Sequence, residues 1–296
     1  MPPVAAVVSL YNPDDGVLAN ASALLGQVDK VIVVDDGSPE DPSPVLAKLA
    51  AMGCTVERLA RNSGIAAALN AGIAVALRGS GKPDYVLTMD QDSILDPGYV
   101  SSLVAAATAA GAANVPVGMV GPGEVLGLPV RRAGKLNGIE LGGEPIQSGL
   151  LIPVTVLERV GLFQDSLFID GVDSEFYLRC AAVGLRTIVA PDASLQHSLG
   201  STSSATVLGK EVSIGGQPLK VRTAAVWRYY YLFRNRILLA RQYGGRFPLW
   251  TLKGFLADYR HLAIVTLLAP GRRARLANVL TGIVDGVRGV SGPRRR

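Results

Sequence analysis

The chain has 296 residues, 49% hydrophobic and 18% charged, a balance that excludes an intrinsically disordered chain and suits one large domain or two small ones. Its net charge of +5 conceals a sharp split: residues 1–219 hold 13 Lys/Arg against 22 Asp/Glu, whereas residues 220–296 hold 16 against only Asp258 and Asp285. Cys54 and Cys180 lie far apart with no metal-type spacing, which leaves either a single disulfide or, more simply, two reduced thiols in a cytosolic protein. Met1-Pro2-Pro3-Val4-Ala5 has no basic stretch leading into an apolar one, so no secretory signal is expected.

Val4 to Leu10 reads as a buried strand, followed by the loop Tyr11-Asn12-Pro13-Asp14-Asp15 and a helix to about Leu25. Val31 to Val34 is a second strand ending in Asp35-Asp36-Gly37-Ser38, and a helix over about Ser43 to Met52 follows it. A short strand around Thr55 to Leu59, a helix from Ala66 to Leu77 and a strand from Tyr85 to Met89 complete the pattern. Continuous β-branched runs separated by helices predict a mostly parallel sheet covered on both faces. Gly98 to Gly123 reads as a helix followed by a buried strand. That strand is predicted over 117–120, with further strands over 149–154 and 187–190, a helix over 173–183, and helices dominating from about 222 to 288. The division expected is an α/β catalytic unit over residues 1–220 and a helical, basic extension over 221–296.

In parallel sheets ligands bind outside the carboxyl ends of the strands, and three polar clusters fall there. Asp35-Asp36-Gly37-Ser38 is either a tight turn or a carboxylate pair gripping a base or ribose. Arg61-Asn62-Ser63-Gly64-Ile65-Ala66 is either a plain helix start or a nucleotide site at a helix N-terminus. Asp90-Gln91-Asp92 ends an apolar strand with two carboxylates spaced i, i+2, which can address one hard divalent cation and the phosphates it carries. No Gly-x-Gly-x-x-Gly follows the first strand, so a Rossmann dinucleotide site is excluded. Further on, Asp170, Asp173 and Glu175 open a helix, where they either favour its dipole or supply a general base. His197 is either structural or a further metal ligand.

Taken in order, Val-Val-Ser-Leu-Tyr-Asn-Pro, Val-Val-Asp-Asp-Gly-Ser, Asn-Ser-Gly-Ile-Ala and Met-Asp-Gln-Asp-Ser resemble the family-2 glycosyltransferases with the GT-A fold, an α/β nucleotide-diphospho-sugar transferase fold. Gln147-Ser148-Gly149, Phe168-Ile-Asp-Gly-Val-Asp-Ser-Glu, His197-Ser-Leu-Gly and Tyr230-Tyr-Leu-Phe-Arg-Asn235 resemble the bacterial rhamnosyltransferase branch, so the resemblance spans about residues 5–240. It implies an inverting, metal-dependent transferase moving L-rhamnose from dTDP-L-rhamnose to a glycan or polyprenyl-linked acceptor. The alternatives are a UDP-hexose or UDP-galactofuranose donor, and a membrane-docked protein that binds a nucleotide sugar without turnover. Carried onto this sequence, Tyr11, Asn12, Asp35, Asp36, Asn62, Ile65 and Asp90 would bind the donor, and Arg234 its diphosphate. Asp90, Asp92 and His197 would hold Mg2+ or Mn2+. Asp173 would be the base, and Gln147, Ser148, Gly149 and Asp170 would face the acceptor. Many relatives have Glu-Asp where this chain has Val172-Asp173, which leaves open whether Glu175 or Asp170 assists the base.

The basic residues of the C-terminal region are interleaved with Trp227, Tyr229, Tyr230, Tyr231, Phe233, Phe247, Trp250 and Phe255. That composition points to an anionic membrane surface on the cytoplasmic side, the bland alternative being a solvated basic face. No nucleic-acid motif accompanies it, so no nucleic-acid partner is expected. The apolar run Leu262 to Pro270 falls far short of the roughly 20 residues needed to span a bilayer. Oligomeric state, including a homo-oligomer, is left open by the sequence.

Overall fold

The computed structural model describes the chain except residues 79–80, 127, 198–200, 208–209, 212 and 295–296, and except the side chains of 128, 129, 197, 201, 207, 210 and 214. It divides into two compact units, one of residues 1–165 and 172–198, the other of residues 166–171 and 199–296. The division falls earlier than the change of composition near residue 220.

In the first unit, β1 (Val4–Leu10), β2 (Lys30–Asp35), β3 (Thr55–Arg58) and β4 (Tyr85–Asp90) lie in the order β3-β2-β1-β4, all parallel. They alternate with α1 (Val17–Leu25), α2 (Ser43–Ala51) and α3 (Ile65–Ala76). The burial of both faces explains the uninterrupted apolar runs: Val4 to Val8 and Val31 to Val34 are all buried. After β4 come β5 (Ser93–Leu95), α4 (Tyr99–Ala112), β6 (Val117–Val125), β7 (Leu128–Pro129), β8 (Arg132–Leu136), β9 (Ile139–Gly142), β10 (Leu150–Pro153), α5 (Val154–Val160), α6 (Val172–Ala182) and β11 (Arg186–His197). The sheet continues β4-β10-β6-β11-β9-β8. β10 runs antiparallel to both neighbours, while β6 and β11 pair in parallel. The sheet is therefore mixed but mostly parallel at its centre and flanked by helices, as the sequence predicts.

The chain leaves β1 for β2 and β3 on one side, then returns to place β4 on the other. The gap between the carboxyl ends of β1 and β4 is thus a topological switch point, where open α/β sheets bind their ligands. Helix α3 closes tightly under this region, since a Cβ on Gly72 would come within 2.3 Å of Val7 Cγ1.

The second unit is built on α7 (Arg228–Tyr243), α8 (Pro248–Leu268) and α9 (Arg272–Arg288), with the hairpin strand Ser201–Ser204 paired antiparallel to Lys220–Thr223. The aromatic residues of α7 are internal: Tyr229, Tyr230, Tyr231 and Phe233 are buried, whereas Trp227 just before it and Tyr259 on α8 are exposed. For these four α7 rings the expectation of a membrane-facing position is corrected, because α7 uses them as the core of the unit; Phe247, Trp250 and Phe255 are half-buried. Among the described residues no helix is long and apolar enough to cross a membrane.

Arg234 lies at the centre of this unit and is 0% exposed. Its Nη2 donates to the Leu167 carbonyl at 2.8 Å, its Nε to Asn235 Oδ1 at 2.9 Å, and its Nη1 to the Gly292 carbonyl. Its guanidinium also sits over the rings of Tyr230 and Tyr231. Asn235 Nδ2 donates to the carbonyls of Leu167, Ile169 and Asp170. The expected contact of Arg234 with a donor diphosphate is corrected: the guanidinium is enclosed, and its donors are committed to the Leu167 and Gly292 carbonyls and to Asn235 Oδ1. Asp170 likewise pairs with Arg228. Replacing Arg234 by Ala strands the carbonyls it satisfies and should destabilise the protein by about 3 kcal/mol or more in denaturant unfolding. A variant of unchanged stability that binds a nucleotide sugar more weakly would restore the diphosphate role.

Candidate active site

The register of the sheet brings the polar clusters to one edge. Leu10 pairs with Asp35 and Ser9 with Asp90, so the carboxyl ends of β2, β1 and β4 finish level with one another. Beyond them the loops are tied by side chains. The Tyr11 N–H donates to Gln91 Oε1 at 2.8 Å, and Gln91 Nε2 donates to the Tyr11 carbonyl at 3.3 Å. Gln91 thereby extends the β1–β4 pairing across the switch point through its own amide. The Asn12 N–H donates to Ser38 Oγ at 2.7 Å, which joins the β1 loop to the loop after β2.

Asp35 is buried and committed. It accepts from the Ser38 N–H and hydroxyl, and its Oδ2 meets Arg58 Nε at 3.1 Å. Asp36 accepts the backbone N–H groups of Ser63 at 2.7 Å and Gly64 at 2.8 Å, one on each oxygen. Burial outweighs these hydrogen bonds and raises the Asp36 carboxyl above its ordinary value. The close fit of the two loops requires Gly37, at φ +62°: a Cβ there would lie 2.2 Å from the Arg61 carbonyl carbon. Both carboxylates therefore hold the loops at this edge, Asp36 fixing the one that carries Asn62 and leads to Ile65. Asn62 Oδ1 is buried with no hydrogen-bond partner, an acceptor in want of a donor.

The Asp90-Gln91-Asp92 turn between β4 and β5 is supported from behind. The Asp90 N–H donates to Ser148 Oγ at 3.0 Å, and Ser148 Oγ lies 2.7 Å from Ser93 Oγ. Asn20, a buried polar residue on α1, donates its amide to the carbonyls of Asp90 and Ser93. The Gly149 N–H donates to the Thr88 carbonyl at 2.8 Å, and Thr88 Oγ1 to the Gln147 carbonyl at 2.7 Å. Ser148 and Gly149, expected at an acceptor surface, are buried as this backing. Gln147 differs: it is 7% exposed, yet both polar atoms of its side chain lack a partner.

Asp173 opens α6, and its Oδ1 accepts the Ser174 N–H at 2.8 Å. Ser174 Oγ donates to Glu144, in the same 143–149 stretch that supplies Gln147 and Ser148. One loop thus braces both the Asp90 turn and the start of α6. Glu175 is fully buried and forms a bidentate pair with Arg179, at 3.0 and 2.6 Å. Its carboxylate is a structural anchor for Arg179, which also donates to the Val160 and Leu162 carbonyls. Cys180 is buried and free, its thiol pushed up to about 12, and Cys54 is also buried and free.

For a divalent cation the donor chemistry fits. Asp90, half-buried at the end of β4, and the exposed Asp92 offer two hard carboxylates, leaving the remaining positions to phosphate and water, as Mg2+ prefers. Among the described residues no group of three His, Cys, Asp or Glu gathers to hold a metal by itself. The backbone of His197 pairs with Ser93, but its side chain lies outside the described residues. Sequence reasoning missed Gln91, Asn20, Ser38 and Glu144 as the residues that hold the edge together. Asn20 alone carried a local signal, a polar residue within the apolar run of α1.

Comparison with known proteins agrees with this arrangement. Residues 5–145 match the model of Glycosyl transferase family 2. The chain is 27% identical to the dTDP-rhamnosyl transferase RfbF of Shigella flexneri, over 98% of its own length and 97% of that protein's. Among solved structures it is similar to residues 1–349 of S. aureus TarS, at 15% identity and a TM-score of 0.50, covering 97% of this chain and 92% of that one. It is also similar to GalNAc-T7 with UDP, GalNAc and Mn2+, at 12% identity and a TM-score of 0.51, covering 66% of this chain but only 43% of that one. Residues 5–145 are a glycosyl transferase family 2 domain, and the chain is a glycosyltransferase of the GT-A fold.

Proposed function

We propose that this glycosyltransferase moves L-rhamnose from dTDP-L-rhamnose, with inversion, to a glycan or polyprenyl-linked acceptor met at an anionic membrane surface. The observation that carries the donor class is the convergence of the β1, β2 and β4 loops at the switch point, with the acidic turn Asp90-Gln91-Asp92 at its rim. The full-length similarity to a dTDP-rhamnosyl transferase supports the sugar and the base. The buried, unpartnered Asn62 Oδ1 suits the imide N–H of a thymine or uracil. Tyr11, Asn12, Asp35, Asp36 and Ile65 would enclose the nucleoside, the two acids chiefly by fixing the loops.

In the reaction an acceptor hydroxyl oxygen attacks the anomeric carbon while the bond from that carbon to the diphosphate oxygen breaks, its electron pair leaving with the nucleotide. Asp173 takes the hydroxyl proton as general base. A Mg2+ or Mn2+ ion held by Asp90 and Asp92, with His197 as a further ligand, would neutralise charge on the departing diphosphate, as the Mn2+ and UDP found with GalNAc-T7 suggest by fold analogy. Gln147, enclosed beside the Asp90 turn with its amide unsatisfied, is positioned to accept a sugar hydroxyl as its partner.

Asp173→Asn should lower turnover by on the order of 10²–10⁴ while leaving donor binding intact; undiminished turnover removes Asp173 from the role. Asp92→Ala should weaken donor binding in the presence of Mn2+ and leave the residual binding seen with EDTA unchanged. Equal donor affinity of mutant and wild type at saturating metal excludes Asp92 as a ligand. Assaying dTDP-rhamnose beside UDP-hexose and UDP-galactofuranose decides the donor, and binding without product in every case would mark a non-catalytic protein.

A further inference from the structure

Helix α8 is apolar on two opposite sides. Its inner side packs Val265, Leu262 and Leu268 into the core of the second unit. On its outer side, Leu249, Leu252, Leu256 and Leu267 are each between 56% and 69% exposed, and Tyr259 is exposed beside them. At about 100° per residue these positions form one stripe that runs about 27 Å along the helix from Leu249 to Leu267. Lys253 and Arg260, both exposed, lie along one edge of that stripe, about 50–70° from its axis. The only acid on α8, Asp258, is turned the other way and neutralised by Arg236 at 2.6 Å. Four outward leucines with two cations and no outward acid describe an interfacial helix.

We propose that this outer face of α8 docks on an anionic lipid bilayer, with its leucines at the acyl boundary and Lys253 and Arg260 among the acidic headgroups. The proposal rests on the membrane-surface reading above and names the surface and the lipid class. Charge decides against a second copy of the chain as occupant. A pair of α8 helices joined through this stripe, parallel or antiparallel, would bring four cations to one seam, in parallel register each against itself. No outward carboxylate on α8 relieves either arrangement. An anionic headgroup layer supplies the missing charge at about 1 kcal/mol per basic residue near the surface. The rest of the region agrees in sign, with 16 Lys/Arg against two acids in residues 220–296, and the second acid, Asp285, accepts the Tyr230 hydroxyl.

The test is co-sedimentation of the full chain with phosphatidylcholine vesicles and with vesicles containing phosphatidylglycerol, at low and high salt. Wild type should bind the anionic vesicles and lose that binding as salt rises. Leu252→Ser/Leu256→Ser should bind on the order of tenfold or more weakly, and Lys253→Glu/Arg260→Glu should lose the preference for anionic lipid, both with unchanged thermal unfolding. No binding by wild type overturns the proposal. Unchanged binding by the leucine variant also overturns it, placing the contact on another face. A dimer in light scattering that the leucine variant dissolves would assign the stripe to self-association instead. Donor turnover in vesicle-free solution, measured on the same proteins, tests the glycosyltransferase reading separately.

Discussion

The Gln91 side chain bridges the point where the sheet changes direction, and the active-site edge depends on it. Parallel strands β1 and β4 diverge into separate loops at their carboxyl ends, where the backbone has no further partner. Gln91 supplies one, accepting from the Tyr11 N–H and donating to the Tyr11 carbonyl. Its two flanking aspartates are thereby fixed relative to the loop that follows β1. Ser148 and Asn20 hold the same turn from behind through the Asp90 N–H and the Asp90 and Ser93 carbonyls. These hydrogen bonds prearrange the turn, which is how a site limits the cost of binding a charged diphosphate.

The two units solve their charge problems differently. In the first, buried carboxylates are absorbed locally: Asp36 by the Ser63 and Gly64 amides, Asp35 by Ser38 and Arg58, Glu175 by Arg179. In the second, buried cations play the corresponding part. Arg234 and Arg275 are enclosed, each donating to backbone carbonyls and lying over tyrosine rings. An enclosed guanidinium can satisfy several carbonyls at once because its donors form a rigid fork. Arg228 and Arg236 pair with Asp170 and Asp258, and Arg222, Arg241, Lys253 and Arg260 are exposed with no such pairing acid on their own elements turned outward.

Much of the fold was legible because burial on both faces of a parallel sheet forces continuous apolar runs. Val4–Leu10 and the strand ending at Asp90 follow directly from that pattern. The helices of the C-terminal region were legible too, but the direction of their side chains was not: Arg234 and the tyrosines of α7 look amphipathic in sequence and are internal in the fold. The β8–β9 hairpin went unread although Asn137-Gly138, both at positive φ, is the expected turn signal between its strands. Its first strand is exposed throughout and its second is only four residues long, so neither shows the apolar alternation that marks a longer buried strand. The candidate acids were legible as motifs, but the residues that position them were not. Gln91, Asn20 and Glu144 act across 30 to 80 positions of sequence, and only the fold brings such pairs together.

The central claim is that the edge formed by β1, β2 and β4 binds a nucleotide sugar with a divalent cation. A thermal-unfolding titration with dTDP-L-rhamnose, run with Mn2+ and again with EDTA, measures it most directly, because a ligand that binds only the folded chain raises its stability in proportion to the logarithm of its concentration. Tm should rise with ligand concentration in the presence of Mn2+, and EDTA should much reduce that rise. Absence of any rise with dTDP-L-rhamnose or with UDP-sugars, at concentrations that saturate other nucleotide-sugar enzymes, would contradict it.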